Sequence, residues 1–360
     1  MDRRIFLKSS AAAAAVAAWP WRGALAAQGW RTFETVTRVE VIKPAGRTLA
    51  WVPMPLAEHT DWFRDLSTRW SGNAARAGVE RDAKYGARIL VAEWGAGESN
   101  PVIEVTSRFM TRDRAVDLSA APDAALRLTA AERAFNTAPT DLLPTDGIVR
   151  KTALEVTRGA RTDLEKGRAI YEWVVENTYR DPKTRGCGWG DIKSMLETGN
   201  LGGKCGDLNA MFVGLARAAG VPARDVYGVR VAPSKHGYKS LGAGTANVSK
   251  AQHCRAEFFA EGYGWVPVDP ADVRKVILEE PPGKLAIDDP KVVAARKRLF
   301  GGWEMNWLAY NMAHDVALPG SSGPKLPYLM YTNAESGGER RDQLDPDAVR
   351  YSITAREIAA

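Results

Sequence analysis

The chain has 360 residues, 45% of them hydrophobic and 26% charged, ordinary values for a globular protein with room for one large or two modest units. Its net charge is +6, of which Arg3, Arg4, Lys8 and Arg22 against Asp2 place three charges in residues 1–26, leaving about +3 for the remainder. With no Lys/Arg run of five or more, this balance argues against a nucleic-acid partner.

In chain order, the N-terminus comes first and reads as an export signal. Asp2-Arg3-Arg4-Ile5-Phe6-Leu7-Lys8 is followed by the apolar Ala11–Ala18 stretch and by Ala24-Leu25-Ala26, small residues where a signal peptidase cuts. Residues 1–26 are expected to be a twin-arginine-type signal peptide, cleaved near Ala26, with the mature chain periplasmic or secreted. No other stretch reaches the about 20 apolar residues of a membrane span.

Residues 27–120 alternate in the manner of strands. Thr35–Ile42, Thr48–Pro53, Ala87–Trp94 and Val102–Phe109 are rich in β-branched and aromatic residues and are separated by Gly, Pro and Asn. This predicts a β-sandwich-like module. His59 lies in a loop-like stretch and is expected to be an ordinary surface histidine. Residues 121–149 read as a linker with a short helix. In residues 150–275, Leu164, Gly167, Ile170, Tyr171, Val174 and Val175 recur at helical spacing and predict a helix over 163–177. Ile192–Glu197 is a short helical turn before the glycines.

The helix after Cys205 has apolar residues at Leu208, Met211, Phe212, Leu215, Ala216 and Ala219, one buried face. Gly220-Val221-Pro222 stops it. Strands are expected over Asp225–Val231, His253–Ala260 and Trp265–Val268, the last two joined by a hairpin at Glu261–Gly264. After Pro270 come loops, a short helix at Pro290–Leu299 and an irregular Trp-rich tail. Residues 276–360 are expected to form a C-terminal extension packing on the core, and the whole is α+β.

Chemistry concentrates on Cys205, in Gly202-Gly203-Lys204-Cys205-Gly206-Asp207. His253 follows forty-eight residues later and Asp269 sixteen after that. A thiol attacks as thiolate, and a free cysteine titrates near about 8.5, so it needs a cation or a helix N-terminus. Cys205 opens a helix whose macrodipole favours negative charge, His253 offers an imidazolium, and the Cys205 N–H is a natural oxyanion donor. The hairpin brings His253 and Asp269 to one end of a ribbon, where the carboxylate would set the imidazole tautomer. The structural alternatives are a small buried cysteine, a half-buried strand histidine and an Asp-Pro turn former. The glycines around Cys205 are expected to leave room for a substrate.

Cys187, in Gly186-Cys187-Gly188-Trp189, lacks a helix directly after it, and Cys254 should point to the strand face opposite His253, into the core. The odd cysteine count leaves at least one free thiol, and a Cys187–Cys254 disulfide is left open. The three cysteines and four histidines show no CxxC or HExxH spacing, so neither metal nor cofactor is expected.

Four segments resemble the transglutaminase-like superfamily, specifically its bacterial exported members: Gly203-Lys204-Cys205-Gly206-Asp207, Leu215–Arg224, His253-Cys254-Arg255-Ala256-Glu257-Phe258 and Gly264–Pro270. The likeness covers about residues 150–275. It implies a papain-like α+β core preceded by an N-terminal all-β module, with Cys205 as nucleophile, His253 as general base and acid, and Asp269 orienting His253. It further implies a thioester that water resolves to hydrolysis and an amine to crosslinking. Trp189, Asn200 and Tyr179 are candidates for completing the oxyanion hole. Arg224 is expected to have a structural role beside a carboxylate. The reading that results is an exported cysteine hydrolase of peptide, protein or cell-wall amides. The alternatives are a glutamine amine transferase, an N-acyltransferase and a non-catalytic binding protein of the same fold.

Overall fold

The computed structural model describes residues 29–358. The expected signal peptide and its cleavage site at Ala26 lie outside the described residues. Among those described, no helix is long and apolar enough to cross a membrane.

The chain begins with β1 (Arg31–Val41), β2 (Thr48–Pro53), β3 (Phe63–Gly72), β4 (Arg76–Arg81), β5 (Arg88–Trp94), β6 (Val102–Thr111) and the two-residue β7 (Arg114–Ala115). Two of these, β3 and β4, are not evident in the sequence. Their residues are mostly exposed and polar, with Trp70 facing solvent, so no apolar alternation marks them. A helical region follows: α1 (Ala130–Thr137), α2 (Gly147–Val156), α3 (Asp163–Asn177), β8 (Tyr179–Arg180), α4 (Ile192–Thr198), β9 (Gly202–Gly203) and α5 (Cys205–Ala218). Then come β10 (Ala223–Arg230), β11 (Gln252–Ala260), β12 (Gly264–Val268), α6 (Pro270–Glu279) and α7 (Pro290–Arg298). The remainder forms β13 (Gly302–Trp303), β14 (Trp307–Asn311), β15 (His314–Val316), β16 (Leu326–Tyr328), β17 (Asn333–Ser336), β18 (Glu339–Arg340) and β19 (Val349–Ile358).

Local chemistry accounts for several boundaries. Thr162 accepts from the Glu165 N–H while the Glu165 side chain returns to the Thr162 N–H, a capping box that starts α3. Asp269 caps α6 with Pro270 at its first position, where a missing N–H costs nothing. That helix was expected to be loop, because the Asp-Pro pair reads as a turn when its capping partner is not in view.

The first four-stranded sheet runs β19-β1-β6-β3, and a five-stranded sheet runs β18-β17-β2-β5-β4. Val39, Val52, Leu90, Trp94, Ile103, Val105, Ala334 and Val349 fill the space between them. The tail is therefore not irregular. β19 pairs along the whole of β1, from Thr32 opposite Ile358 to Val41 opposite Val349, and β17 pairs with β2. Residues 276–360 thus contribute to both parts of the molecule, since β14 joins the other four-stranded sheet, β12-β11-β10-β14.

Helix α5 packs across this second sheet. Met211, Phe212, Leu215 and Ala216 meet Phe258, Val266 and Val268 beneath α3 and Phe300. Phe258 lies between Phe212 and Phe300, with ring centroids 5.9 and 5.8 Å away. A Cβ on Gly167 of α3 would come within 2.4 Å of the Phe258 ring, so the glycine allows that close helix-to-sheet approach. Arg224 pairs with the buried Glu257 at 2.6 Å and lies over the Trp265 ring, while Arg114 takes the other carboxylate oxygen. The structural role expected for Arg224 matches this placement.

Candidate active site

Cys205 is the first residue of α5, buried at 5% exposure. No side chain caps this helix from Lys204. Instead Asp207, one turn in, accepts from the Lys204 N–H at 3.0 Å and from the Gly190 N–H at 2.9 Å. One carboxylate therefore satisfies the helix start and ties down the Cys187–Gly190 loop. Burial raises the Asp207 pKa, against the opposing effect of these backbone donors.

The glycines near Cys205 serve packing rather than substrate access. A Cβ on Gly206 would lie 2.7 Å from the Cys187 carbonyl oxygen, which already accepts the Gly206 N–H at 2.7 Å. A Cβ on Gly203 would meet the Asp207 side chain at 2.5 Å. Because the obstacle at Gly206 is backbone, Gly206→Ala is expected to cost about 1–3 kcal/mol of folding stability, read from the midpoint of urea unfolding at unchanged slope. An unchanged midpoint would show that the loop yields freely.

His253 is on β11 and Asp269 follows β12. The hairpin pairs Ala256 with Val268 and Ala260 with Gly264, which sets both residues at the same end. His253 Nε2 lies 2.7 Å from Asp269 Oδ2, and both side chains are buried. The other carboxylate oxygen, Oδ1, accepts from Asn209 Nδ2 at 3.2 Å and from the Asp272 N–H at 3.1 Å. Asp269 is thus a helix cap and a histidine partner at once, so its turn-forming alternative and its proposed role coexist.

A second carboxylate stands beside the first: Asp272 Oδ2 is 3.5 Å from His253 Nε2 and is held by Arg230 at 2.6 Å. Burial and Arg230 work against the imidazolium, but attraction to Asp272 and Asp269 outweighs them and raises the His253 pKa above its ordinary value. Burial and the neighbouring Asp272 raise Asp269, whereas Arg230 overcomes the burial of Asp272 and holds it far below the usual carboxylate range.

Cys205 and His253 both line one cleft of about 700 Å³. Asp269 occupies Nε2, which leaves Nδ1 of His253 for the thiol. Among the described residues no hydrogen bond joins the two; the thiol bonds run from Cys187 to the Gln252 carbonyl at 3.5 Å and from Cys254 to Met330 at 3.8 Å. Catalytic hydrogen bonds are often long until substrate binds.

Cys254 is fully buried as its strand position suggested, yet it does not stand apart from Cys205. The sulfurs of Cys187, Cys205 and Cys254 all lie within 4.8 Å of one another, as free thiols. Burial pushes the Cys254 thiol up. This grouping has donor spacing suited to a soft cation, as does the set His253, Asp269 and Asp272 for a harder one, although that set is already engaged with Arg230 and Asn209.

The three candidate oxyanion residues do not line the cleft. Trp189 is 68% exposed, and Tyr179 donates to Asn200 Oδ1 at 2.8 Å on the surface. His59 is exposed as expected. Three residues escaped sequence reasoning: Asn209, Asp272 and Arg230. Asn209 lies four residues after Cys205, hence on the same helix face, and Asp272 lies three after Asp269, so helical spacing could have flagged both. Nothing local marks Arg230, which arrives from another strand.

Cys205 at a helix start and the His253–Asp269 pair of the adjoining hairpin are set in a core of helices packed on an antiparallel sheet. Residues 150–270 match the family model of the transglutaminase-like superfamily. The chain is 37% identical over 327 residues to an uncharacterised protein of Haemophilus influenzae, spanning 87% of each. Its fold is similar to the crystal structure of a provisionally assigned cysteine protease from Cytophaga hutchinsonii, with TM-score 0.51 and 14% identity over 91% of this chain and 98% of that one. The periplasmic domain of TgpA from Pseudomonas aeruginosa also aligns, at TM-score 0.34 and 15% identity, over 73% of this chain and 92% of that one. The chain belongs to the transglutaminase-like superfamily.

Proposed function

We propose that this protein is an exported cysteine hydrolase that cleaves peptide or isopeptide amides through Cys205, His253 and Asp269. The observation that carries the reading is the buried 2.7 Å contact between His253 Nε2 and Asp269 Oδ2, on the wall of the cleft that Cys205 lines. His253 Nδ1 takes the Cys205 proton, and the sulfur attacks the amide carbonyl carbon. The Cys205 N–H, without an intrahelical acceptor at the first helical position, donates to the oxyanion. Collapse breaks the C–N bond, and imidazolium protonates the departing amine. Water, deprotonated by His253, then opens the thioester to a carboxylate and restores the thiol.

The domain organisation proposed with it is a signal peptide at 1–26, a β module begun over 27–120, a linker at 121–149, a catalytic core over 150–275 and a C-terminal extension from 276 whose β17, β18 and β19 complete the β module. The similarity to a provisionally assigned cysteine protease supports hydrolysis over transfer to an amine. Mass spectrometry of glutamine-containing peptides and cell-wall fragments, with and without a primary amine, tests this. The expected products carry a new carboxyl group whether or not the amine is present; products dominated by an amine adduct would make the protein a transferase.

A further inference from the structure

We infer that the cleft is built for a substrate carrying carboxylates beside the scissile amide, an acidic peptide rather than a neutral or basic one. Seven cationic side chains line it and no Asp or Glu does, whereas the whole chain has 49 basic against 43 acidic residues. The asymmetry therefore belongs to the cleft and not to the composition.

The counter-charges are not part of the lining. Glu279 holds Arg180 and, at 3.8 Å, Lys275; Asp342 holds Arg185; Asp272 holds Arg230 at 2.6 Å; and Glu40 reaches Arg350 at 3.8 Å. None of these carboxylates faces the cleft. They fix Arg180, Arg185, Lys275 and Arg350 in place, while buried Arg230 spends its N–H groups on Asp272 and the Leu241 carbonyl. Lys204 and Lys250 have no acidic partner among the described residues. Lys204 immediately precedes Cys205 and lines the same cleft, and Lys250 precedes the strand that bears His253. With seven cations against these four carboxylates, the surplus charge at the cleft is positive, which draws an anionic ligand.

The C-terminal segment completes the wall. Gln343, Leu344, Pro346 and Arg350 line it, and the Arg185–Asp342 pair fastens that segment to the Cys187 loop. This specificity rests on the amide-hydrolase reading of the cleft but is tested apart from it.

The test is binding by the full chain with Cys205→Ala, which cannot turn over. Fluorescence anisotropy compares a labelled peptide with several Glu residues around a central Gln against the same peptide with each Glu replaced by Gln. The acidic peptide is expected to bind at least about tenfold more tightly at low salt, with the advantage shrinking as ionic strength rises. Lys204→Met and Lys250→Met are each expected to reduce the ratio between the two peptides. Equal binding of the two, a ratio unmoved in both lysine variants, or equally effective competition by a single-stranded oligonucleotide would overturn the assignment. Failure of the wild type to cleave either peptide, with the binding preference intact, would instead count against the hydrolase reading alone.

Discussion

Cys205→Ala is expected to lower kcat for amide hydrolysis on the order of 10⁴-fold or more, the scale on which removal of a covalent nucleophile acts in a cysteine or serine hydrolase. The fold should persist, because alanine is smaller and is well suited to a first helical turn. Cys187 and Cys254 make this a sharp test, since their sulfurs lie within 4.8 Å of Cys205 and Cys187 shares the cleft. Cys187→Ser and Cys254→Ala should leave most of the turnover. Of the three thiols, Cys205 is the one at the start of a helix. Mass mapping after brief iodoacetamide treatment at neutral pH should find the label first on Cys205. Turnover that survives Cys205→Ala, or is lost with Cys187→Ser instead, would move the nucleophile to the neighbouring loop.

Asp269→Asn is expected to reduce kcat by roughly 10⁴-fold, the cost of an imidazole held in the wrong tautomer. Asparagine caps helices about as well as aspartate, so α6 and the fold are preserved and the effect falls on the histidine. The pH dependence carries a sign. Attraction to Asp272 and Asp269 raises the His253 pKa, so the alkaline limb of the rate profile, where imidazolium is lost, sits above the ordinary histidine range. Removing the Asp269 charge lowers the folded pKa and moves that limb to lower pH. The same linkage affects stability. The contribution from a raised histidine is fully present below its unfolded value of about 6.5 and fades as pH climbs through the folded value. The variant should therefore lose stability relative to wild type mainly at acid pH. A variant with unchanged kcat and an unmoved alkaline limb would rule out the orienting role of Asp269.

Much of the site was legible because its parts are local. Cys205 before a periodic apolar run, the Gly220-Val221-Pro222 stop, and a strand–turn–strand ending in Asp269-Pro270 each show as short patterns. What escaped is what distant segments bring. Arg230 fixes Asp272 from β10, Asn209 reaches Asp269 across sixty residues, and the basic lining of the cleft collects cations from seven separate positions without any basic run. The oxyanion candidates show the converse: aromatic and amide residues near the cysteine in sequence turned outward, with Tyr179 and Asn200 bonded to each other.

By itself, then, the amino-acid sequence determined the helix that bears Cys205, the hairpin that joins His253 to Asp269, and the family, because periodicity, caps and turn residues act over a few neighbours. Only the tertiary structure decided that β19 closes the sheet begun by β1, that three thiols share one site, and that the cleft is cationic. Strand partners and side-chain clusters depend on which buried surfaces meet, and that is settled by packing among segments as far apart as Thr32 and Ile358.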